Sequence, residues 1–322
     1  MKAIVAHEYG PIGNLTYTDW AEPKAAAGEI VIEAEAIGVN FPDGLLVQGL
    51  YQARPETPFV PGMEAVGRIV SVGEAVRSVK IGDRVAVLPS IGAYAEKIAA
   101  PETVAIKVPE EMDAGDACAL LCGYGTSLYA LKQRGQLAPG ETLCVLGAAG
   151  LTGLAAVQIG KAMGARVIAV ASSAEKQEIS RRAGADIVLG YDNLRDALKE
   201  ATSGNGVDVA FDPVGGDMFD ALARAMAWNG RLLVIGFASG RIPQLPVNLA
   251  LVKGYSVVGV FWGSFTRKEP EAHAANMQQL IEWYGTGRIK PVIEGTYPLA
   301  EAASVLERIH SRGASGKLIL RP

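Results

Sequence analysis

The sequence predicts an α/β protein with a doubly wound parallel sheet in one domain and a second, β-rich domain. Three observations lead to this prediction. After residue 140, short apolar runs alternate with amphipathic segments, which is typical of parallel strands covered by helices on both faces. A glycine-rich turn links the first of those runs to the helical segment behind it. The first third instead contains β-branched runs bounded by Gly or Pro.

The composition fits a folded protein of about two domains. The 322 residues are 49% hydrophobic and 20% charged, with a formal net charge of −4. Without a basic block, nothing favours binding to nucleic acid or anionic lipid. No apolar run approaches the roughly 20 residues that cross a bilayer. The three cysteines (Cys118, Cys122 and Cys144) cannot all pair. Because the N-terminal segment also lacks an export signal, we expect a cytoplasmic protein.

The β-rich first third is predicted from three runs, at residues 30–37, 65–72 and 83–88. Turn signals at Gly73 and Gly82 separate them and favour a barrel-like antiparallel domain. Residues 110–131 then change to Ala-rich helical spacing.

The following segment alternates regularly between strands and helices. We predict helices at 153–163, up to 183, at 194–201 and at 218–227. The six predicted strands lie at 143–146, 166–171, 186–189, 207–212, 231–236 and 256–261. This series predicts a doubly wound, Rossmann-type dinucleotide-binding fold. A long helix at 270–284 and a strand at 317–320 follow, and we expect this tail to return to the first domain.

The turn between the first strand and its helix has the residues of a phosphate-binding site. In VLGAAGLTG (145–153), Gly150 would let the backbone approach a pyrophosphate, and Gly153 would let the helix pack on the strand. The N–H groups and dipole of the helix N-terminus would then hold the phosphates. A tight turn without a ligand is the alternative, which the five further strand–helix units behind it disfavour.

The end of the second strand distinguishes between the two nicotinamide cofactors. NAD sites usually carry Asp or Glu there, whereas a ribose 2′-phosphate of about −1.5 to −2 charges would be repelled by a carboxylate. Here Ser172 and Ser173 offer hydroxyls and Lys176 offers charge, which favours NADP(H). Glu175 is the opposing feature, although its spacing after Ser172 fits a capping box. Lys176 could equally lie on a solvated helix face.

No metal site is predicted. His7, His273 and His310 are scattered, and the chain has no Cys-x-x-Cys or His-x-x-x-His spacing. A tetrahedral zinc site needs three or four converging ligands. The cysteines fit better as small buried hydrophobic residues.

Seven motifs have counterparts in one family: IGVNFPD (37–43), PGMEAVG (61–67), KIGDRV (80–85), GAAGLTG (147–153), GAD (184–186), DPVGG (212–216) and GKLIL (316–320). Through them the whole chain resembles the medium-chain dehydrogenase/reductase superfamily, in its zinc-free quinone oxidoreductase (zeta-crystallin-like) branch. The resemblance implies a GroES-like catalytic domain at 1–123 with 266–322, and an NADP-binding Rossmann domain at 124–265. Zinc-dependent relatives have Cys where Asn40 stands and His where Met63 stands. Both ligands are absent here, as is the four-cysteine lobe.

The resemblance also implies roles for single residues. Asn40 and Thr126 would lie near the nicotinamide, and Ser173, Lys176 and Tyr191 near the 2′-phosphate. Relatives often carry Tyr where this chain has Leu45, so Tyr51 or solvent would have to donate a proton. The expected catalytic residues are Asn40, Tyr51 and Thr126. The expected NADPH contacts are Asn40, Thr126, Gly147, Ala149, Gly150, Leu151, Thr152, Gly153, Ser172, Ser173, Lys176, Tyr191, Gly236, Phe237, Phe261 and, more weakly, Lys317.

Three functions follow from these features. The first is zinc-independent reduction of a quinone by hydride from NADPH. The second is reduction of an enone or enoyl group, which needs a defined proton donor. The third is NADPH binding with little turnover, by a structural or sensor protein. In each case the uncharged apolar run at 256–261 predicts an exposed edge strand that pairs two copies into a homodimer.

Overall fold

The computed structural model describes residues 1–322, which form two compact units: 1–122 with 292–322, and 123–291. The first boundary lies one residue from the expected one. The assignment of residues 266–291 to the first domain is wrong, since they belong to the second unit. The helix Pro270–Gly285 lies in this segment, and its buried Asn276 exchanges hydrogen bonds of 2.9 and 3.2 Å with Gln133.

The N-terminal part of the first unit is mostly β-structure. Its helices are α1 (Phe41–Val47) and α2 (Ala114–Ala119), with 3₁₀ turns at Ile12–Asn14 and Glu102–Val104. Its strands are β1 (Lys2–Val5), β2 (Thr16–Asp19), β3 (Glu29–Val39), β4 (Ala65–Val72), β5 (Arg84–Val87), β6 (Lys97–Pro101) and β7 (Ala105–Lys107).

The second unit alternates strands with helices. Where it begins, π-helical turns at Leu120–Tyr124 and Tyr129–Arg134 flank the short helix α3 (Gly125–Leu128). The strands are β8 (Thr142–Leu146), β9 (Arg166–Val170), β10 (Ile187–Leu189), β11 (Val207–Asp212), β12 (Met226–Val234) and β13 (Ser256–Gly259). The helices are α4 (Leu151–Ala162), α5 (Ala174–Arg182), α6 (Leu194–Ala201), α7 (Gly216–Ala225), α8 (Val247–Lys253), α9 (Trp262–Lys268) and α10 (Pro270–Gly285).

The six strands of the second unit form one parallel sheet in the order β10-β9-β8-β11-β12-β13. This is the doubly wound order of dinucleotide-binding folds, and it confirms the predicted fold class. Helices cover both faces, so strands such as Arg166–Val170 are apolar along their length after the first residue, and those residues are buried. In such sheets, ligands bind beyond the carboxyl ends of the strands.

The last residues, 292–322, complete the first unit. They form β14 (Ile293–Pro298), a 3₁₀ turn (Leu299–Glu301), α11 (Ala302–His310) and β15 (Lys317–Arg321). The resulting sheet has the order β14-β15-β3-β4-β5-β7, with β6 also paired to β3. Its pairs are antiparallel except for β14 with β15. The eleven-residue β3 is the strand to which the C-terminal β15 attaches.

Two helices of the second unit, α8 and α9, were not predicted from the sequence. The helix α8 has no buried residue, and five of the seven residues in VNLALVK are apolar, so the sequence does not separate an apolar face from a polar one. The helix α9 begins at Trp262, and the strand predicted at 256–261 already ends at Gly259. No helix of the chain combines the length and the apolar character that a membrane span requires.

Candidate functional site

The glycine-rich turn of the second unit joins β8 to α4. Gly147 has a φ of +59°, which glycine adopts without strain, and the Gly150 N–H donates to its carbonyl oxygen at 3.0 Å. Gly150 is the N-cap of α4, and no side chain caps this end. The first N–H groups of a twelve-residue helix therefore lack a side-chain partner. This is an arrangement that can bind an anion.

The turn's glycines meet different requirements. A Cβ on Gly153 would lie 2.2 Å from the Gly147 carbonyl oxygen and 2.7 Å from the Ala148 Cα, so the helix could not pack at its present distance. A Cβ on Gly150 would meet only the Gly147 oxygen, at 3.4 Å, which is ordinary contact. Packing thus requires glycine at 153. At position 150 the fold leaves room for a side chain. Glycine is needed there only if a ligand comes close to the backbone.

The end of β9 presents polar groups beside this turn. Ser173 is the N-cap of α5, and its Oγ accepts the Lys176 N–H at 3.2 Å. The capping box predicted from Ser172 to Glu175 is therefore wrong by one residue, because Ser173 has the extended backbone of a cap. Ser172 is exposed and Lys176 half-buried. No carboxylate lies between the end of β9 and the first residue of α5.

Tyr191 also lies at the turn. Its hydroxyl oxygen accepts the Gly147 N–H at 3.1 Å, and its ring packs on the apolar core of the second unit. Since β10, β9 and β8 are neighbours in the parallel sheet, Tyr191, Lys176 and Gly147 all follow its carboxyl edge. The other expected contacts of this unit are Thr126 on α3, half-buried, and Gly236, Phe237 and Phe261 beyond β12 and β13.

Asp212 at the end of β11 has a structural explanation. Its Oδ1 accepts the N–H groups of Val214 and Gly215, both at 2.8 Å, and so holds the turn before α7. The side chain is buried, and burial raises its pKa above the ordinary value. With both backbone donors satisfied by one oxygen, this carboxylate stabilises the turn.

The first unit contains a buried polar cluster, formed by Asn40, Asp43, Glu64, Tyr94 and Lys317. Asn40 is 5% exposed, Asp43 and Lys317 1%, and Glu64 and Tyr94 0%. The Lys317 ammonium donates to the Val39 carbonyl and to Asn40 Oδ1, both at 2.9 Å, and forms an ion pair with Glu64. The ammonium that was expected, more weakly, to contact NADPH is therefore bound to acceptors of the protein itself. The pairing of β15 with β3 turns this lysine into the interior.

Glu64 and Lys317 hold the carboxamide of Asn40 from both ends. Asn40 Nδ2 donates to Glu64 Oε1 at 2.9 Å, while Oδ1 accepts from Lys317. The second oxygen of Glu64 accepts the Cys122 N–H at 2.9 Å. Every charge in this part of the cluster is thus paired or hydrogen-bonded, as a buried charge requires.

Asp43 forms the other half of the cluster. Its Oδ2 accepts the Asn40 N–H and the Tyr94 hydroxyl, both at 2.8 Å, whereas Oδ1 has no partner. Burial raises the pKa of Asp43 to about 7. The hydrogen bonds from Asn40 and Tyr94 lower this pKa, but by less than burial raises it. Burial also raises the pKa of the Tyr94 phenol. Asp43 thus titrates near neutral pH.

Sequence reasoning missed Asp43, Glu64 and Tyr94. A signal existed, because Asp43 and Glu64 are charged residues inside the apolar motifs IGVNFPD and PGMEAVG. Tyr51 lies outside the cluster, half-buried against Leu46 and Phe59. No group of three or more His, Cys, Asp or Glu side chains is arranged to hold a metal ion.

Comparison with known proteins identifies both units. Residues 26–110 match the family model described as "Alcohol dehydrogenase GroES-like domain", and residues 152–282 match "Zinc-binding dehydrogenase". A quinone oxidoreductase-like protein 2 homolog of Nematostella vectensis is 36% identical, over 99% of this chain and 88% of its own. The Escherichia coli quinone oxidoreductase, solved as an NADPH complex, is 29% identical with a TM-score of 0.93, over 100% of both chains. A mycobacterial protein, also solved with NADPH, is 34% identical with a TM-score of 0.94, again over 100% of both.

Proposed function

Because the chain belongs to the medium-chain dehydrogenase/reductase superfamily, in its zinc-free quinone oxidoreductase branch, we propose that it transfers a hydride from NADPH to a quinone. The observation that carries the proposal is the uncapped N-terminus of α4, with a neighbouring strand that ends in serines instead of a carboxylate. These features suit a pyrophosphate and a phosphorylated ribose. The quinone is proposed from the names of the relatives.

The residues of the second unit fit this cofactor. An uncapped helix end offers N–H donors, and Gly150 has no side chain between its backbone and an approaching phosphate. When bound, NADPH supplies the hydride. Residues 147–153 would hold the pyrophosphate, Ser172, Ser173, Lys176 and Tyr191 the 2′-phosphate, and Thr126, Gly236, Phe237 and Phe261 the nicotinamide end.

The first unit would supply the groups that meet the acceptor. Asn40 would orient an acceptor oxygen through its carboxamide. Leu45 on α1 has no proton to give, and Tyr51 packs against an apolar cluster. Water can complete a quinone reduction, because a hydroquinone anion takes its proton from solvent. The protein's contribution is then mainly positioning and exclusion of water.

We propose that the reaction needs no metal ion. The amide of Asn40 and the thioether of Met63 stand where zinc-dependent relatives have thiolate and imidazole, and neither group is a usual zinc ligand. Both ends of the Asn40 amide are also hydrogen-bonded already. Overnight dialysis against a chelator should leave turnover unchanged. A loss of activity that added zinc restores would contradict the proposal.

An acceptor panel tests the proposed function. Oxidation of NADPH and of NADH is followed with 1,4-benzoquinone and with a small enone. We expect turnover of the quinone with NADPH as the better cofactor. Faster turnover of the enone would identify the enone or enoyl reductase instead. Tight NADPH binding without oxidation by either acceptor would indicate the structural or sensor protein.

The edge strand supports a proposed homodimer. Ser256–Gly259 pairs with β12 only, and Val257 is 36% exposed. No charged residue blunts this edge within residues 256–261. We infer that two copies pair there about a two-fold axis.

A cytoplasmic location is proposed from the cysteines. All three are free, and Cys118 and Cys144 are buried. Burial raises the pKa of both thiols, which makes them unreactive hydrophobic groups. Fractionation of cells that express the tagged chain would test this location.

A further inference from the structure

The buried polar cluster has a role that the proposed function leaves unassigned. We propose that Lys317 and Glu64 are positioning residues, which fix the Asn40 carboxamide so that its remaining N–H donates to a carbonyl oxygen of the acceptor. The inference rests on the proposed function for the identity of the reaction. The positioning itself rests on the cluster's hydrogen bonds.

Counting donors shows which member of the cluster can still bind a ligand. A lysine ammonium has three N–H groups, and those of Lys317 face three acceptors, on Val39, Asn40 and Glu64. Both oxygens of Glu64 are occupied as well. An amide nitrogen carries two hydrogens, and Asn40 Nδ2 donates one, to Glu64. The second N–H of Asn40 Nδ2 can therefore still donate to a ligand. Asn40 is also more exposed than Lys317 and Glu64.

The two charges decide which way the amide faces. A rotation by half a turn would place the Asn40 NH₂ group against the Lys317 ammonium and its oxygen against the Glu64 carboxylate. Donor would then meet donor and acceptor would meet acceptor, inside a region where water cannot screen them. Because both partners are charged, each hydrogen bond is also stronger than a neutral one. The ion pair thus holds a single orientation of the amide.

The orientation suits an acceptor that carries a carbonyl group. The quinone takes the hydrogen and both electrons of the hydride, one of its oxygens takes on negative charge, and one proton from water completes the hydroquinone. An N–H fixed beside that oxygen stabilises the charge as it develops. The ammonium on the amide oxygen draws electron density from the amide and strengthens this donor. The ligand class is therefore an electron-poor carbonyl compound.

The test compares Lys317→Met, Asn40→Ala and the double variant of these two, with 1,4-benzoquinone as acceptor. We expect each single variant to lower kcat about tenfold or more, while NADPH affinity, measured by fluorescence titration, changes less than about twofold. The double variant should be no slower than Asn40→Ala, because Lys317 acts through Asn40. Losses that multiply in the double variant would overturn the proposal.

A control variant and a second variant distinguish a lower kcat from a failure to fold. Lys97→Met removes the lysine of an exposed ion pair with Glu22 in the same unit and should leave kcat unchanged. Where Lys317→Met melts early, the variant with both Lys317→Met and Glu64→Gln avoids an unpaired buried charge. It should fold and remain slow. A folded variant of this kind with wild-type kcat would contradict the proposal.

The proposed function and the positioning can fail separately. If the wild-type chain binds NADPH but reduces no acceptor, the proposed function fails. The Asn40 side-chain N–H signals, assigned by their loss in Asn40→Ala, still report the amide in ¹H–¹⁵N spectra. In the wild type these signals should be resolved and protected from exchange, and in the variant without both charges they should lose that protection. Equal protection in both proteins would remove the positioning role.

Discussion

The Tyr191 hydroxyl accepts the backbone N–H of Gly147 at 3.1 Å. A side chain that follows the third strand of the parallel sheet thus supports the turn that follows the first. Tyr191→Phe should weaken the binding of NADH by about 2- to 10-fold, since it removes one hydrogen bond to the turn, and that of NADPH more, since the proposed contact with the 2′-phosphate is lost as well. Fluorescence titration measures both affinities. Tyr255→Phe is the matched control, because the Tyr255 hydroxyl has no hydrogen-bond partner; an equal loss in that variant would contradict the assignment.

Replacement of Lys176 tests the 2′-phosphate site. Lys176→Ala should lower the ratio of NADPH to NADH affinity about tenfold, because it removes a charged hydrogen bond to the 2′-phosphate. NADPH and NADH differ only in this phosphate, so the affinity for NADH should not change. Lys199→Ala removes an exposed lysine from another helix of the same unit and should leave the ratio unchanged. An unchanged ratio in Lys176→Ala would exclude this residue from cofactor discrimination.

The two glycines of the turn should respond differently to alanine. Gly153→Ala brings a methyl group within 2.2 Å of the Gly147 oxygen, so we expect a loss of about 1–3 kcal/mol in the free energy of unfolding. Gly150→Ala finds ordinary contact and should keep its stability while losing NADPH affinity. Urea unfolding and cofactor titration of both variants separate the effects. Full NADPH affinity in Gly150→Ala would show that no phosphate approaches this backbone.

Asp43 should make the stability depend on pH. Its pKa is about 7 in the folded protein, against roughly 3.9 in an unfolded chain. Between these values the folded state binds the proton more tightly, so this contribution to the free energy of unfolding is complete below about pH 4 and is lost as the pH rises through about 7.

Asp43→Asn removes that titration. The difference in unfolding free energy between wild type and variant, measured in urea from about pH 5 to about pH 8, should shift in favour of the variant as the pH rises. Tyr94→Phe removes a hydrogen bond that lowers the pKa of Asp43. It should extend the pH dependence to higher pH. A difference that stays constant over this range would mean that Asp43 does not titrate there.

A charge on the edge strand tests the homodimer. Val257→Lys places an ammonium on the open edge of the sheet and should convert the dimer to monomers in light scattering at micromolar concentration. Ile81→Lys changes an exposed apolar residue of the first unit in the same way and should leave the mass unchanged. A wild-type chain that is itself monomeric would refute the dimer.

Local patterns were enough to predict most of the fold. The bounds of Ala65–Val72, Leu194–Ala201 and Val207–Asp212 agree with the prediction, because apolar periodicity and turn residues are properties of neighbouring positions in the chain. The glycine-rich turn is likewise contained in nine consecutive residues. Where a short helix is apolar on most sides, as α8 is, the element was missed.

The sequence by itself determined the six parallel strands, the turn behind the first of them and the serines, instead of a carboxylate, directly after the second. Only the tertiary structure showed that Lys317 is buried and paired with Glu64, which lies 253 residues away along the chain. As an isolated residue it predicts a surface charge, and burial becomes possible only when strand pairing brings a carboxylate, an amide and a carbonyl around its ammonium. The free energy of a buried charge depends on all its partners at once, and no local pattern contains them.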